Sequence, residues 1–181
     1  SMLFAQGSSS GIQKKRLKVG QIGTAHGHAT KIGVYRKSDD YDVVGIVESD
    51  KTLREKSSNQ EAFQGLAWMS QEQLLNSPEL DVMLVETSPR DCLKVAEACI
   101  DAGKHVHLDK PAGESLEHFE RVLKKAEAKQ LTVQLGYMYR YNPAIKLLHS
   151  MLQQGWLGEI FEVHAVMSKV LAPAERSALA E

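Results

Sequence analysis

The sequence has no surplus of either charge sign: 22 lysines and arginines stand against 23 acidic residues, for a net charge of −1. Nucleic-acid and anionic-membrane binding both draw on a basic excess, so neither is expected here. No apolar run approaches the roughly 20 residues needed to span a bilayer. Cysteine is scarce. The two that occur, Cys92 and Cys99, stand seven residues apart in a stretch that reads as one helix. At about 1.5 Å of rise per residue they lie roughly 10 Å apart, beyond the roughly 7 Å between Cα atoms that a disulfide bridges. Free thiols acting as small core residues are expected, consistent with a reducing, cytoplasmic setting. Seven histidines are present, and His105 and His107 share a strand face by period-two spacing. No Cys/His/acid cluster completes a metal site along the chain, so no metal is expected.

With 43% hydrophobic and 25% charged residues, the composition is that of an ordinary globular protein. Residues 1–16 are rich in Gly, Ser and Gln and end on Lys14, Lys15 and Arg16, and they read as a disordered leader. From Leu17 onward, short apolar runs alternate with stretches of helical period. Strands are expected at Leu17–Ile22, Tyr41–Val47, Leu66–Trp68, Asp81–Val85, His105–Leu108 and Leu131–Leu135. Helices are expected at Ala25–Arg36, over 51–62, and at Gln71–Leu75, Pro89–Ala102 and Glu114–Lys129. Parallel strands joined by helices make an α/β fold: a doubly wound parallel sheet of the Rossmann type over residues 17–136. At Gly136 the pattern changes. Asn142–Gln154 reads as a capped helix, and Glu159–Met167 alternates polar and apolar residues like a strand of a different sheet. One strand is not stable alone. Residues 137–181 therefore read as the beginning of a second α+β domain that is not completed within the chain. An unpaired strand there would favour self-association, so a homo-oligomer is expected.

The first turn runs Gly20-Gln21-Ile22-Gly23-Thr24-Ala25-His26-Gly27-His28. Small residues where a strand turns into a helix let a pyrophosphate approach the backbone. On the G-x-G-x-x-G frame, Gly23 matches, Ala25 nearly matches and His28 does not. A ligand-free tight turn is the competing reading. Glu48 ends the second strand, 25 residues after Gly23, close to the spacing of about 20 at which an acid bonds the adenosine ribose. A carboxylate there favours NAD over NADP, although Lys51 and Arg54 nearby keep NADP open. Thr87, Ser88 and Pro89 follow one strand, and Asp109-Lys110-Pro111 follows the next. Both lie at the carboxyl edge of the sheet, where ligands bind in open α/β folds. Lys110 held there is a candidate proton donor or acceptor for a substrate oxygen. A solvated strand-end lysine is the alternative.

Taken together, these segments resemble the NAD(P)-dependent glucose–fructose oxidoreductase, inositol dehydrogenase and MocA family (Gfo/Idh/MocA). The matching text is Val-Gly-Gln-Ile-Gly-Thr at 19–24, Val-Val-Gly-Ile-Val-Glu at 43–48, Thr-Ser-Pro at 87–89, Ala-Gly-Lys-His-Val-His-Leu-Asp-Lys-Pro at 102–111 and Gly-Tyr-Met-Tyr-Arg-Tyr-Asn-Pro-Ala at 136–144. The resemblance implies hydride transfer between NAD or NADP and a hydroxyl or carbonyl of a sugar, cyclitol or related polyol. It implies that Gly23, Thr24, Ala25, His26 and His28 line the pyrophosphate and that Glu48 binds the ribose. Thr87, Ser88 and Pro89 would follow the nicotinamide half. Asp109 and Lys110 would meet the cofactor, with Lys110 also acting on substrate, and Tyr139 and Arg140 would stand near the substrate. Leu93 departs from the family, which often has a histidine there. The family's Asp-x-x-x-His catalytic segment would fall after residue 181, so the chain alone is expected to bind cofactor without turnover. A non-catalytic nucleotide-binding or interaction module is the alternative.

Overall fold

The computed structural model describes residues 15–168. Residues 1–14 of the leader expected over 1–16, and the tail from 169, lie outside the described residues. Arg16, expected to belong to that leader, is instead tied to the fold: its guanidinium pairs with Asp42 at 3.0 Å and donates to the Ser38 carbonyl at 2.8 Å.

Five parallel strands form one sheet: β1 (Leu17–Ile22), β2 (Tyr41–Val47), β3 (Val82–Val85), β4 (His105–Leu108) and β5 (Val133–Leu135), in the order β2-β1-β3-β4-β5. The helices are α1 (Ile32–Lys37, led by a 3-10 turn at Ala29–Lys31), α2 (Lys51–Ser58), α3 (Gln71–Leu75), α4 (Pro89–Asp101), α5 (Leu116–Ala128) and α6 (Pro143–Gln153). The chain divides into two compact units, 1–137 and 138–181.

The first unit is the expected doubly wound sheet. Its central strand β3, Val-Met-Leu-Val, is almost fully buried, as a strand covered on both faces must be. On one face Met83, Val85, Val106 and Leu108 pack with Leu93, Ala96 and Ile100 of α4 and Val122 and Ala126 of α5. On the other, Ile46 packs with Ala29, Ile32 and Phe63. Cys92 and Cys99 are free and buried in the larger core, and burial pushes the Cys99 thiol up to about 12. Lys104 is also buried, its ammonium donating to the carbonyls of Ser77 (2.7 Å) and Leu80 (3.0 Å).

Local chemistry explains most helix ends. Asp50 caps α2, Ser70 and Gln73 form a reciprocal capping box on α3, and Ser115 caps α5. Pro89 begins α4 and Asn142 caps α6 through two backbone N–H groups. Three expectations are corrected. Leu66–Trp68 makes only an isolated bridge, Trp68 to Ile46, so it adds no sixth strand. The helix expected from Ala25 starts only at Ala29. Residues 24–28 bond to other segments instead, with His26 N–H donating to the Glu86 carbonyl at 3.1 Å. The strand expected at Glu159–Met167 does not form: among the described residues no partner strand supplies hydrogen bonds to it, and Phe161, Val163, Val166 and Met167 are exposed. Among the described residues, no helix is long and apolar enough to cross a membrane.

Helices α4 and α5 are clamped on their outer side. Glu97 receives Arg121 (3.2 Å), Lys125 (2.9 Å) and His118 (2.9 Å). Hydrogen bonds from Arg121 and Lys125 outweigh partial burial and hold the Glu97 carboxyl down to about 2, below its ordinary 4.5. A depressed carboxyl stabilises the fold above its unfolded pKa, and that contribution is lost as pH falls through the folded value. Glu97→Gln should cost about 1 kcal/mol near neutrality, the upper range for surface ion pairs. Denaturant titrations of both proteins should converge as pH drops from about 4.5 towards 2. A difference that persists unchanged at the acid end would remove the clamp as its cause.

Candidate functional site

The carboxyl ends of β1, β2, β3 and β4 lie along one edge of the first unit, and the chain leaves each of them through a short turn. Gly23 makes the sharpest of these. Its φ is +94°, and a Cβ there would lie 2.7 Å from both the Glu86 carbonyl oxygen and Thr87 Cγ2. Only glycine fits. The turn is held from both sides: Gly23 N–H donates to Val47 O at 2.8 Å, and the buried Gln21 amide donates to Gly23 O at 2.9 Å.

Glu48 leaves the end of β2 and folds back on this turn. One carboxylate oxygen accepts from both the Thr24 N–H and the Thr24 hydroxyl, each at 2.8 Å, and the other accepts from Asp50 N–H at 2.9 Å. Asp50 in turn caps α2 by accepting from Leu53 N–H. Arg54, the nearby cation, lies 5.2 Å above the Trp68 ring. Beside these groups opens a cleft of about 530 Å³, lined by Gly23, Ala25, Glu48, Thr87, Ser88 and Lys94 among others. Its volume lies in the range of small-molecule sites. Five of the residues singled out from the sequence thus share one cleft. Pro89, a sixth, is the exposed first residue of α4 at its rim.

His26, His28 and Asp109 converge in a second, neighbouring group. His28 Nδ1 is 3.3 Å from Asp109 Oδ1, and His26 Nδ1 is 3.6 Å from Asp109 Oδ2. Three residues that the sequence did not mark as site residues join them. The Lys31 ammonium lies 2.6 Å from Glu86 Oε1, 2.5 Å from Asp109 Oδ2 and 2.9 Å from His107 Nε2. Glu86 is fully buried. Burial pushes its carboxyl up to about 7, against the pull of Lys31. Burial also raises Asp109, but hydrogen bonds from Lys31 and the Lys110 N–H overcome it and keep Asp109 well below the usual carboxylate range. Burial lowers His26 and His107. The sequence had no contiguous signal for this group. Its one clue was an ionisable residue, Glu86, attached directly to the most apolar strand.

Lys110 follows Asp109 and is exposed. Its main chain is held: its N–H donates to Asp109 Oδ1 at 2.7 Å, and its carbonyl accepts from His26 Nε2 at 3.0 Å. Its ammonium is left at the sheet edge. Leu93 is buried in the core, against Gly113. Tyr139 and Arg140 lie in the second unit, in an exposed 3-10 turn at Met138–Tyr141.

The Gfo/Idh/MocA family, described as an oxidoreductase family with an NAD-binding Rossmann fold, matches residues 17–137. The chain is 29% identical over 111 residues to trans-1,2-dihydrobenzene-1,2-diol dehydrogenase of Bos taurus, covering 61% of this chain and 33% of that protein. It is 27% identical over 154 residues to glucose-6-phosphate 3-dehydrogenase of Bacillus subtilis, covering 83% and 41%. The structure of apo scyllo-inositol dehydrogenase from Lactobacillus casei superposes with a TM-score of 0.70 at 19% identity, over 82% of this chain and 44% of that one. The chain spans less than half the length of each of these proteins. A match over most of the chain, on a parallel sheet whose glycine turn and acidic second-strand end line one cleft, places this protein in the Gfo/Idh/MocA family of oxidoreductases, with residues 17–137 as its NAD(P)-binding Rossmann domain.

Proposed function

We propose that the cleft beside Gly23 and Glu48 holds the adenosine half of NAD. We propose further that the intact protein transfers a hydride between the nicotinamide and a hydroxyl or carbonyl carbon of a sugar, cyclitol or related polyol. The carrying observation is Glu48, fixed by Thr24 and Asp50 at the cleft wall. A carboxylate so placed accepts hydrogen bonds from ribose hydroxyls and repels a 2′-phosphate. Asp50 adds a second negative charge at the strand end, and Arg54 is engaged by Trp68, which supports NAD over NADP.

When bound, the nicotinamide supplies the hydride donor or acceptor. The protein's own part is placement and proton handling. The Gly23–His28 turn is assigned to the pyrophosphate; the Gly23, Thr24, His26 and His28 N–H groups are already bonded within the protein, so those of Ala25 and Gly27 are the donors assigned to it, and Thr87 and Ser88 are assigned to border the way towards the nicotinamide. When an alcohol is oxidised, its hydroxyl proton must leave as the hydride does. Lys110 is assigned to bond that oxygen, with its main chain fixed by Asp109 and His26. Tyr139 and Arg140 are assigned to the substrate. The second reading, a nucleotide-binding module without turnover, draws on Ala25 and His28, which replace two fingerprint glycines. In both readings the chain binds nucleotide.

Titration of NADH by fluorescence tests the site. Saturable binding is expected, with NADPH weaker. Glu48→Ala should weaken NADH by about tenfold to a hundredfold, the loss of a charge-assisted hydrogen bond. It should also narrow the gap to NADPH. Absence of saturable binding by either nucleotide would overturn the proposal.

Gly23→Val serves as a second check. Its side chain would enter space held by the Glu86 carbonyl and Thr87, so NADH binding should vanish and the melting temperature should fall. Wild-type affinity in that variant would place the pyrophosphate elsewhere.

A further inference from the structure

We propose that His26, His28, Asp109 and Glu86 form a binding site for a divalent transition-metal ion at the carboxyl edge of the sheet. Three distances carry the proposal: His28 Nδ1 to Asp109 Oδ1 at 3.3 Å, His26 Nδ1 to Glu86 Oε2 at 3.4 Å and His26 Nδ1 to Asp109 Oδ2 at 3.6 Å. A tetrahedral ion with bonds of about 2.0–2.2 Å to nitrogen and oxygen spaces neighbouring ligand atoms about 3.3–3.6 Å apart. These three pairs already stand at that spacing; one atom each of His26, His28 and Asp109 lie within 4.8 Å of one another, and Glu86 joins through His26.

The chemistry of each donor agrees. His26 Nε2 faces the Lys110 carbonyl at 3.0 Å, and a carbonyl only accepts, so Nε2 carries the proton. Nδ1 is then the basic nitrogen, with Glu86 and Asp109 before it. A histidine that ligates through one nitrogen and donates from the other to a main-chain carbonyl is the usual arrangement at metal centres. Glu86 Oε2 is buried and accepts no hydrogen bond. A buried carboxylate oxygen without a donor is costly unless a cation faces it. Lys31 faces the other oxygen, Oε1, together with Asp109 and His107. Two acidic groups, Glu86 and Asp109, share this one ammonium. The ion would lie on the opposite side from Lys31, replacing the His28 N–H to His26 Nδ1 hydrogen bond of 3.2 Å. Two imidazoles with two carboxylates suit Zn²⁺, Co²⁺ or Ni²⁺ better than the all-oxygen Mg²⁺ and Ca²⁺ or the thiolate-seeking Cu⁺. The His28 side chain is 39% exposed and gives the ion a way in.

The ion would join three strand ends that are distant in sequence. It would tie the turn after β1 to Glu86 at the end of β3 and to Asp109 at the end of β4, and through Asp109 it would steady the main chain of Lys110.

The test uses the whole chain without a polyhistidine tag and with no nucleotide present, so its outcome does not depend on the dinucleotide reading. Protein stripped with a chelator is titrated with Zn²⁺ by calorimetry and with Co²⁺ by visible absorption. One ion per chain is expected, at micromolar affinity or tighter, with the absorption of tetrahedral cobalt. His26→Gln and His28→Gln should each weaken binding at least about tenfold, since even outer partners of metal ligands cost that much. His149→Gln and His164→Gln, both outside the group, should leave it unchanged. Circular dichroism and melting curves accompany each variant. The half-exposed His28 provides an arm that does not depend on the tighter His26 turn keeping its shape. Substoichiometric binding, or equal affinity in the His28→Gln and His149→Gln proteins, would overturn the site.

Discussion

The sheet edge depends on one partly buried cation. Lys31 lies between Glu86, Asp109 and His107, all within 2.5–2.9 Å of its ammonium. Glu86 has no exposed surface at all, and a carboxylate so placed is tolerated only with a partner. The partner comes from the segment after the glycine turn, whereas the acids come from the ends of β3 and β4. Electrostatics thus draws together three chain segments that hydrophobic packing alone would leave free to splay, because they sit at the rim of the core and not inside it. The same pull explains why the chain does not enter a helix directly after Gly23. Residues 24–28 spend their polar groups on Glu48, Glu86 and Asp109, and regular helix begins only once those are satisfied.

Around that edge the fold divides its labour. One side, between Gly23 and Glu48, is an open cleft with an acidic wall. The other, between His26 and Asp109, is a closed polar knot. Both hang on the same turn, so whatever fills the cleft is mechanically connected to the residues that hold Lys110. This connection matters for an oxidoreductase domain, where small displacements of a positioning group have large kinetic effects.

Much of this was legible in the sequence. β1, β2 and β4 fall where the apolar runs place them, and α3 begins and ends as its capping residues dictate. The acid at the end of β2 and the glycine at the end of β1 were readable because their spacing reports a βαβ unit. The misses share a cause. Leu66–Trp68 has strand-forming residues, yet no neighbour completes a ladder beyond Ile46. The alternation over 159–167 is real, but alternation only makes a strand when a second strand supplies hydrogen bonds. The Lys31–Glu86–Asp109–His107 group was invisible because its members lie up to 78 residues apart and meet only after the sheet is built. Periodicity reports faces of elements. It does not report which rims will touch.

The strand order has one more implication, for how the chain acquires its shape. β1 is flanked by β2, which follows shortly after it, and by β3, whose last residue is Val85. On a growing chain the first βαβ unit can assemble as soon as β2 emerges, but one whole edge of β1 stays open until β3 is made. Across that interval the polar edge of β1 is available to any extended segment nearby, including that of another nascent chain. In the finished fold Lys104 and Lys31 hold the two ends of β3. One caps the loop that delivers β3, and the other engages Glu86 at its far end.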